Sequence, residues 1–141
     1  MNDPYDNLRQ LLAQQDLRLT NPRRKVFAVL HANDLPMSPR EVHEQAPSID
    51  TVSVYRTLAL FTRLGITQTV PAGFKQKYEL VDIFKPHHHH LQCGKCGELI
   101  NIGSDEFETL INSIARKYGY TSSHHKFELT GLCSQCQATS L

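Results

Sequence analysis

Two Cys-x-x-Cys pairs, Cys93/Cys96 and Cys133/Cys136, follow an internal run of four histidines, His87 to His90. Two thiolate pairs brought together form a closed four-sulfur cage, the usual ligand set of structural zinc. A chain stapled this way must bring two segments far apart in sequence to one point. Two disulfides are the rival reading. The sequence has no apolar N-terminal run of signal-peptide type, so nothing supports an oxidising compartment. Nor does any stretch approach the length of a membrane span. The histidines lie inside a patterned segment, which argues against an expression tag.

The chain has 141 residues, enough for one ordinary domain or two small ones, and its 40% apolar content suffices for a globular core. A formal net charge of +1 means that any nucleic-acid contact must come from a local patch. There is no internal repeat.

The N-terminal half reads as helical. Leu8, Leu11 and Leu12 carry helical spacing over residues 6–15. Thr20 or Asn21 caps a second helix with Pro22 in its first turn, and Val26, Val29 and Leu30 form its buried stripe. Ser38-Pro39-Arg40-Glu41 is a capping box that starts a third helix, which Pro47 ends. Asp50 or Thr51 caps a fourth helix that runs to Leu64 and stops at Gly65. Two short helices joined by a tight turn make a helix-turn-helix. On the fourth helix, Val54, Leu58, Phe61 and Leu64 share the core face. The opposite face carries Val52, Arg56, Ala59 and Arg63, with Tyr55 on its flank. Arginine can bond guanine edges or phosphates, and tyrosine can pack on thymine methyls. Arg18, Arg23, Arg24 and Lys25 add a basic cluster that can reach phosphates or a narrow minor groove. Strands over 66–70 and 75–80, joined by a Pro71-Ala72-Gly73 turn, read as a wing.

The C-terminal half reads as a small α/β unit. Strands are expected over 78–83, 88–92, 99–102 and 127–132. A helix capped by Ser104 runs to Tyr118, with an apolar stripe of Phe107, Leu110, Ile111, Ile114 and Tyr118, and Gly119 ends it. In an extended histidine run, successive side chains point to opposite faces. His87 and His89 then serve one side, with Glu108 and His125 as candidate co-ligands. His88 and His90 serve the other, with Glu79 or Asp82. Imidazole with carboxylate suits zinc, iron(II), manganese or nickel better than calcium. His31 and His43 lie outside any cluster and read as surface or satisfied histidines; one of His124 and His125 is a surface residue. No His-Glu-x-x-His helix or nucleophile constellation supports a hydrolase. A metal carrier would have no need of the helix-turn-helix.

Leu17-Arg18-Leu19-Thr20-Asn21-Pro22-Arg23, then Ser53-Val54-Tyr55-Arg56-Thr57-Leu58, then residues 87–97 and Cys133-Ser134-Gln135-Cys136, resemble the ferric uptake regulator family over nearly the whole chain. The resemblance implies an α+β protein: an N-terminal winged helix-turn-helix DNA-binding domain over 1–73, and a small metal-binding dimerisation domain over 74–141 with structural zinc. It implies a cytoplasmic homodimer that represses metal-uptake or stress genes at AT-rich operators when a second divalent metal, Zn2+ or Fe2+, is bound. It places Tyr55 and Arg56 on bases and Arg18 near the minor groove; Arg63, by its place on the outer face of the fourth helix, is a further DNA-binding candidate that would meet a phosphate. Cys93, Cys96, Cys133 and Cys136 would hold zinc. His88, His90 and Glu79, with Asp82 as rival, match the hinge sensing site; His87, His89, Glu108 and His125 match the dimerisation-domain site. Iron-type members usually have aspartate where His89 stands and often a hinge histidine where Pro36 stands. Zinc-type members often have a ligand where Gln68 stands. The four-histidine run leans towards the zinc uptake branch, and a peroxide-stress regulator is the alternative.

Overall fold

The computed structural model describes residues 3–103 and 105–139. Its residues fall into two units, Met1–Pro86 and His87–Leu141.

The first unit is four helices and a hairpin. Helix α1 (Pro4–Ala13) begins earlier than its apolar spacing indicates, because the Asp3 side chain accepts from the Tyr5 backbone N–H at 3.1 Å and Pro4 occupies the first turn. Helix α2 (Asn21–Ala32) starts after Thr20, whose side chain makes no cap bond. The capping box of α3 (Pro39–Gln45) is fully formed. The Glu41 N–H donates to Ser38 Oγ at 3.2 Å, and the Ser38 N–H donates to Glu41 Oε2 at 2.7 Å. Asp50 caps α4 (Thr51–Arg63), and Gly65 at φ 69° turns the chain out of the helix in a conformation that penalises a side chain.

Strands β1 (Thr67–Ala72) and β2 (Lys75–Leu80) pair antiparallel from Thr67↔Leu80 to Ala72↔Lys75. The turn is therefore Gly73-Phe74, with Gly73 at φ 64°, rather than Pro71-Ala72-Gly73. Proline can stay in an edge strand where no ladder donor is required. Met37 and Tyr78 exchange two backbone hydrogen bonds, at 2.8 and 2.7 Å, which fastens the hairpin to the loop before α3. The core joins Leu8, Phe27, Val42, Leu58, Phe61 and Ile66, all essentially solvent-free. Each such side chain contributes roughly 1.5–3 kcal/mol on burial.

The segment after β2 is not the strand expected over 78–83. β2 ends at Leu80, and the Val81 N–H bonds back to the Ile66 carbonyl at 3.1 Å. Phe84 packs edge-on against Phe27, with ring centroids 5.1 Å apart. These contacts keep residues 74–86 with the helices, so the division falls after Pro86 rather than after Gly73.

The second unit is a three-stranded sheet with two helices. Strand β3 (His89–Cys93) is central, with β4 (Leu99–Ile102) antiparallel on one side and β5 (Glu128–Gly131) parallel on the other. Pairing begins at His89, opposite Ile102, one residue later than the sequence indicates. Helix α5 (Asp105–Lys117) lies between β4 and β5 in the chain, and Gly119 follows at φ 78°. Its expected cap, Ser104, lies outside the described residues. A short α6 (Ser134–Ala138), which the sequence reading did not contain, starts at the second cysteine pair.

Packing here differs in kind. Among the described residues the buried side chains of this unit are two histidines, His89 and His90, and two cysteines, Cys93 and Cys136. No aliphatic or aromatic core residue joins them. The apolar stripe of α5 splits: Phe107 turns in against Phe127 at 4.5 Å between centroids, whereas Leu110, Ile114 and Tyr118 are exposed. Ile100, Leu129 and Leu132 on the strands are exposed as well.

Candidate metal centres and nucleic-acid interface

The cysteine cage forms where β3 ends. The Cys93 N–H bonds the Glu98 carbonyl at 2.8 Å, and the Gly97 N–H bonds the Cys93 carbonyl at 2.9 Å, turning the first pair into a tight knuckle. Cys133 is the N-cap of α6, so the second pair sits on that helix's first turn. All four sulfurs lie within 4.8 Å of one another, and none is in a disulfide. Cys96 Sγ and Cys133 Sγ are 3.8 Å apart, close to the edge of about 3.8 Å of a tetrahedron with Zn–S bonds of ~2.3 Å. The thiols differ sharply in acidity. The Cys133 N–H donates to Cys93 Sγ at 3.3 Å and, with the Cys96 N–H, brings Cys93 down to about 6. Cys136 is pushed up to about 12 by the Cys133 thiol beside it and by burial. On Cys133 the Cys136 N–H acts downward, yet burial and the sulfurs of Cys96 and Cys93 carry it up. One thiolate forms readily and resists the next, a conflict that a dication resolves.

The second cluster gathers His87, His89, Glu108 and His125. His89 Nε2 lies 2.7 Å from Glu108 Oε1, His125 Nε2 3.1 Å from Oε2, and His87 Nε2 3.5 Å from Oε1; the nitrogens of His87 and His125 are 3.1 Å apart. A tetrahedron with bonds of ~2.05 Å has edges of about 3.3 Å, inside that range. The hydrogen bond with His89 and those with His125 hold the Glu108 carboxyl below its usual range, against burial. Phe107 closes one side of His89 at 4.9 Å, and β3 buries that ring at 4% exposure. Three imidazoles and a carboxylate fit zinc, iron(II) or manganese.

His90 of β3 and His88 just before the strand stand together, ring centroids 5.0 Å apart. In the first unit Glu79 is buried and accepts from Gln68 Nε2 at 2.8 Å, so Gln68 orients that carboxylate. Asp82 is exposed. Among the remaining histidines, His31 stacks on Phe27 at 5.8 Å and His124 is exposed. His43 departs from expectation: its Nδ1 is buried without a hydrogen-bond partner.

Helix α4 divides as its phase indicates. Val54, Leu58 and Phe61 are buried, while Val52, Tyr55, Arg56 and Arg63 are exposed. Asp50 accepts from the Ser53 N–H at 2.9 Å and from Ser53 Oγ at 2.7 Å, which fixes the first turn beneath Tyr55 and lowers the Asp50 carboxyl. Arg18 is exposed, and its carbonyl accepts from an Arg23 Nη at 2.6 Å, tying the basic cluster to the start of α2. A cleft bounded by Ser38, Arg40, Tyr55, Lys75, Gln76 and Tyr78 lies between the hairpin and the two helices. The sequence reading missed Arg40 and Lys75 there, because nothing local aligns a helix start with a strand start far along the chain.

The profile of the ferric uptake regulator family matches residues 14–130. The chain is 32% identical over 143 residues to the ferric uptake regulation protein of Neisseria meningitidis serogroup A, with 96% of each chain covered. Its structure is similar to that of the Vibrio cholerae ferric uptake regulator, with a TM-score of 0.69 and 32% identity over 88% of this chain and 98% of that one. It also resembles the ferric uptake regulator of Helicobacter pylori, with a TM-score of 0.78 over 95% of this chain and 91% of that one; at 24% identity the likeness is one of fold.

Proposed function

The chain belongs to the ferric uptake regulator family, and from that membership we propose that it is a cytoplasmic homodimeric repressor that binds AT-rich operators of zinc- or iron-uptake genes when loaded with a divalent metal. The observation that carries the reading is the alternation of histidines about β3, beside a capped helix whose outer face carries Tyr55 and Arg56. Tyr55 and Arg56 read bases, Arg63 meets a phosphate, and Arg18 approaches the minor groove. No helix among the described residues is long and apolar enough to cross a membrane. The exposed Leu110, Ile114 and Tyr118 of α5, with Leu129 of β5, form the face that a second copy covers.

The cage of Cys93, Cys96, Cys133 and Cys136 holds structural zinc; His87, His89, Glu108 and His125 hold a metal that braces the dimerisation domain. The switch is assigned to His88 and His90, completed by Glu79, with Asp82 as the rival carboxylate. Burial of Glu79 and its bond from Gln68 favour Glu79, since a fixed carboxylate loses little freedom on binding. Their place in the chain, close after the wing, suits a metal that fixes the spacing of two recognition helices on one duplex. Moving a dimer from about 1% to about 99% competent takes roughly 5.5 kcal/mol of preference, and one site per protomer supplies about half. The zinc branch is favoured by the third imidazole, His89, in the dimerisation-domain site.

The test titrates wild type, His90→Ala and His125→Ala with zinc and, without oxygen, iron(II), reading affinity for operator DNA. His90→Ala should remain a folded dimer blind to metal. A response lost in His125→Ala and kept in His90→Ala would reverse the two roles.

A further inference from the structure

The most exposed large apolar side chain among the described residues is Phe74, at 111% of its reference area, in the two-residue turn at the tip of the β1–β2 hairpin. It is not among the side chains that pack on the core. Charged or small residues are the ordinary choice for such a turn. Its neighbours are polar or cationic: Lys75 and Gln76 are exposed, and Lys77 follows.

Two further observations fix where this ring stands. The hairpin is braced against the helix-turn-helix by the two Met37–Tyr78 backbone bonds and by Lys77 Nζ, 3.2 Å from Glu41 Oε1. Its tip therefore holds a set position relative to α4. In addition, Lys75 and Gln76 line the same cleft as Tyr55 and Arg40, so the end of β2 next to the turn and the outer face of α4 border one groove. Phe74 is one residue beyond Lys75, so the ring stands about 3.3 Å further along, at the rim of that cleft. A helix reading the major groove through Tyr55 and Arg56 thus has the hairpin tip at its side, by the phosphate backbone that separates the major groove from the minor one.

We propose that Phe74 is an apolar wedge that enters the minor groove flanking the bases read by α4, with Lys75 and Arg40 seating the intervening backbone phosphate. This rests on the DNA-binding reading above and adds a second contact to it. Apolar side chains in a minor groove partly unstack a base step and bend the duplex. Flexible TA and CA/TG steps accept that deformation most readily, so the wedge reads deformability outside the bases touched by Tyr55 and Arg56. The guanine 2-amino group obstructs the groove floor, which favours A·T pairs there.

The experiment uses full-length, metal-loaded protein and duplexes it selects from a random-sequence pool, with 2-aminopurine placed at the flanking steps. Phe74→Ala should weaken binding about tenfold, from the lost burial of one aromatic ring, with the salt slope unchanged. Lys75→Ala should lower the salt slope. Wild type should brighten the flanking 2-aminopurine, Phe74→Leu should do so in part, and Phe74→Ala should not. Flanks of G·C should weaken wild type, and flanks of inosine·cytosine, which lack the 2-amino group, should restore it. If Phe74→Ala binds within twofold of wild type, or flank fluorescence ignores Phe74, the wedge is wrong. A Phe74→Ala effect seen only as a change in oligomer size would assign the ring to a second copy of the chain and overturn the proposal. If wild type selects no duplex, the DNA-binding reading fails and the wedge falls with it. Selection that succeeds while Phe74→Ala is neutral leaves that reading standing and removes only the wedge.

Discussion

Removing the cysteine-bound metal should melt the second unit and spare the first. Cys96→Ser is the cleaner perturbation, because chelators also strip the histidine sites. The structure sets the scale. Cys96 and Cys133 are 37 residues apart. Tying together a loop of about that length restricts the unfolded chain by about 4 kcal/mol, and structural zinc can supply about 10–16 kcal/mol in all. A small domain is stable by only about 5–15 kcal/mol. The second unit has no buried aliphatic or aromatic side chain among its described residues to make up the loss. The first unit has Leu8, Phe27, Leu58, Phe61 and more. Hydrogen exchange at one fixed protein concentration, since dimerisation also stabilises, should show protection at Leu91, Ile100 and Leu129 falling about a thousandfold, the exchange equivalent of ~4 kcal/mol. Protection in α2 and α4 should hold. Equal protection of β3 in the variant and wild type would refute the argument that metal stands in for a core.

Arg56→Ala and Tyr55→Ala should each weaken operator binding by about 1–3 kcal/mol per protomer while leaving melting unchanged, since both side chains are exposed; wild-type affinity in gel-shift would remove them from the reading face. Ser38→Ala should destabilise the first unit by about 1 kcal/mol, measured in urea, by opening the formed capping box of α3; no change would mean that proline at the first turn alone starts the helix. The Glu41 carboxyl is opposed by burial but held below its usual 4.5 by the Ser38 N–H and Lys77. Its ionised form therefore stabilises the fold above the ordinary carboxylate range, and that contribution fades as pH falls through its lowered value. Glu41→Gln should thus melt earlier than wild type at pH 7 and approach it near pH 3; a pH-independent gap would rule out the charge.

Local chemistry made most of the first unit legible. Ser38-Pro39-Arg40-Glu41, Asp50 and Gly65 each act within one turn, so helix starts and stops could be read from neighbours. The cysteine spacing and the alternation of the histidines are likewise local rules, and they pointed to side chains that the fold brings together. What escaped depends on distant partners. Residues 78–83 look like a strand, but β2 stops at Leu80 and the chain turns so that Phe84 packs on Phe27. Leu110 and Ile114 look like core, but the unit leaves them outside, because a helix stripe records which side is apolar and not what covers it. Pro71-Ala72-Gly73 looks like the turn, but the strands pair up to Ala72 and Lys75 and leave Gly73-Phe74 to close the hairpin, since register alone decides which two residues do so.

Four identical side chains in a row cannot index themselves. If β3 slid by one residue against β4, His88 and His90 would stand where His87 and His89 now stand, and an imidazole pair would still face Glu108. The run offers the same ligand atoms in either frame, so it cannot choose between them. Cys93 can. It is the last residue of the same strand, paired with Gly131 and committed to the cage. The thiolate site therefore acts as the zero mark of a ruler. With Cys93 held there, His89 and His90 each have their face, and His87 and His88 follow from them; a strand paired one residue out of step would turn the other imidazoles towards Glu108.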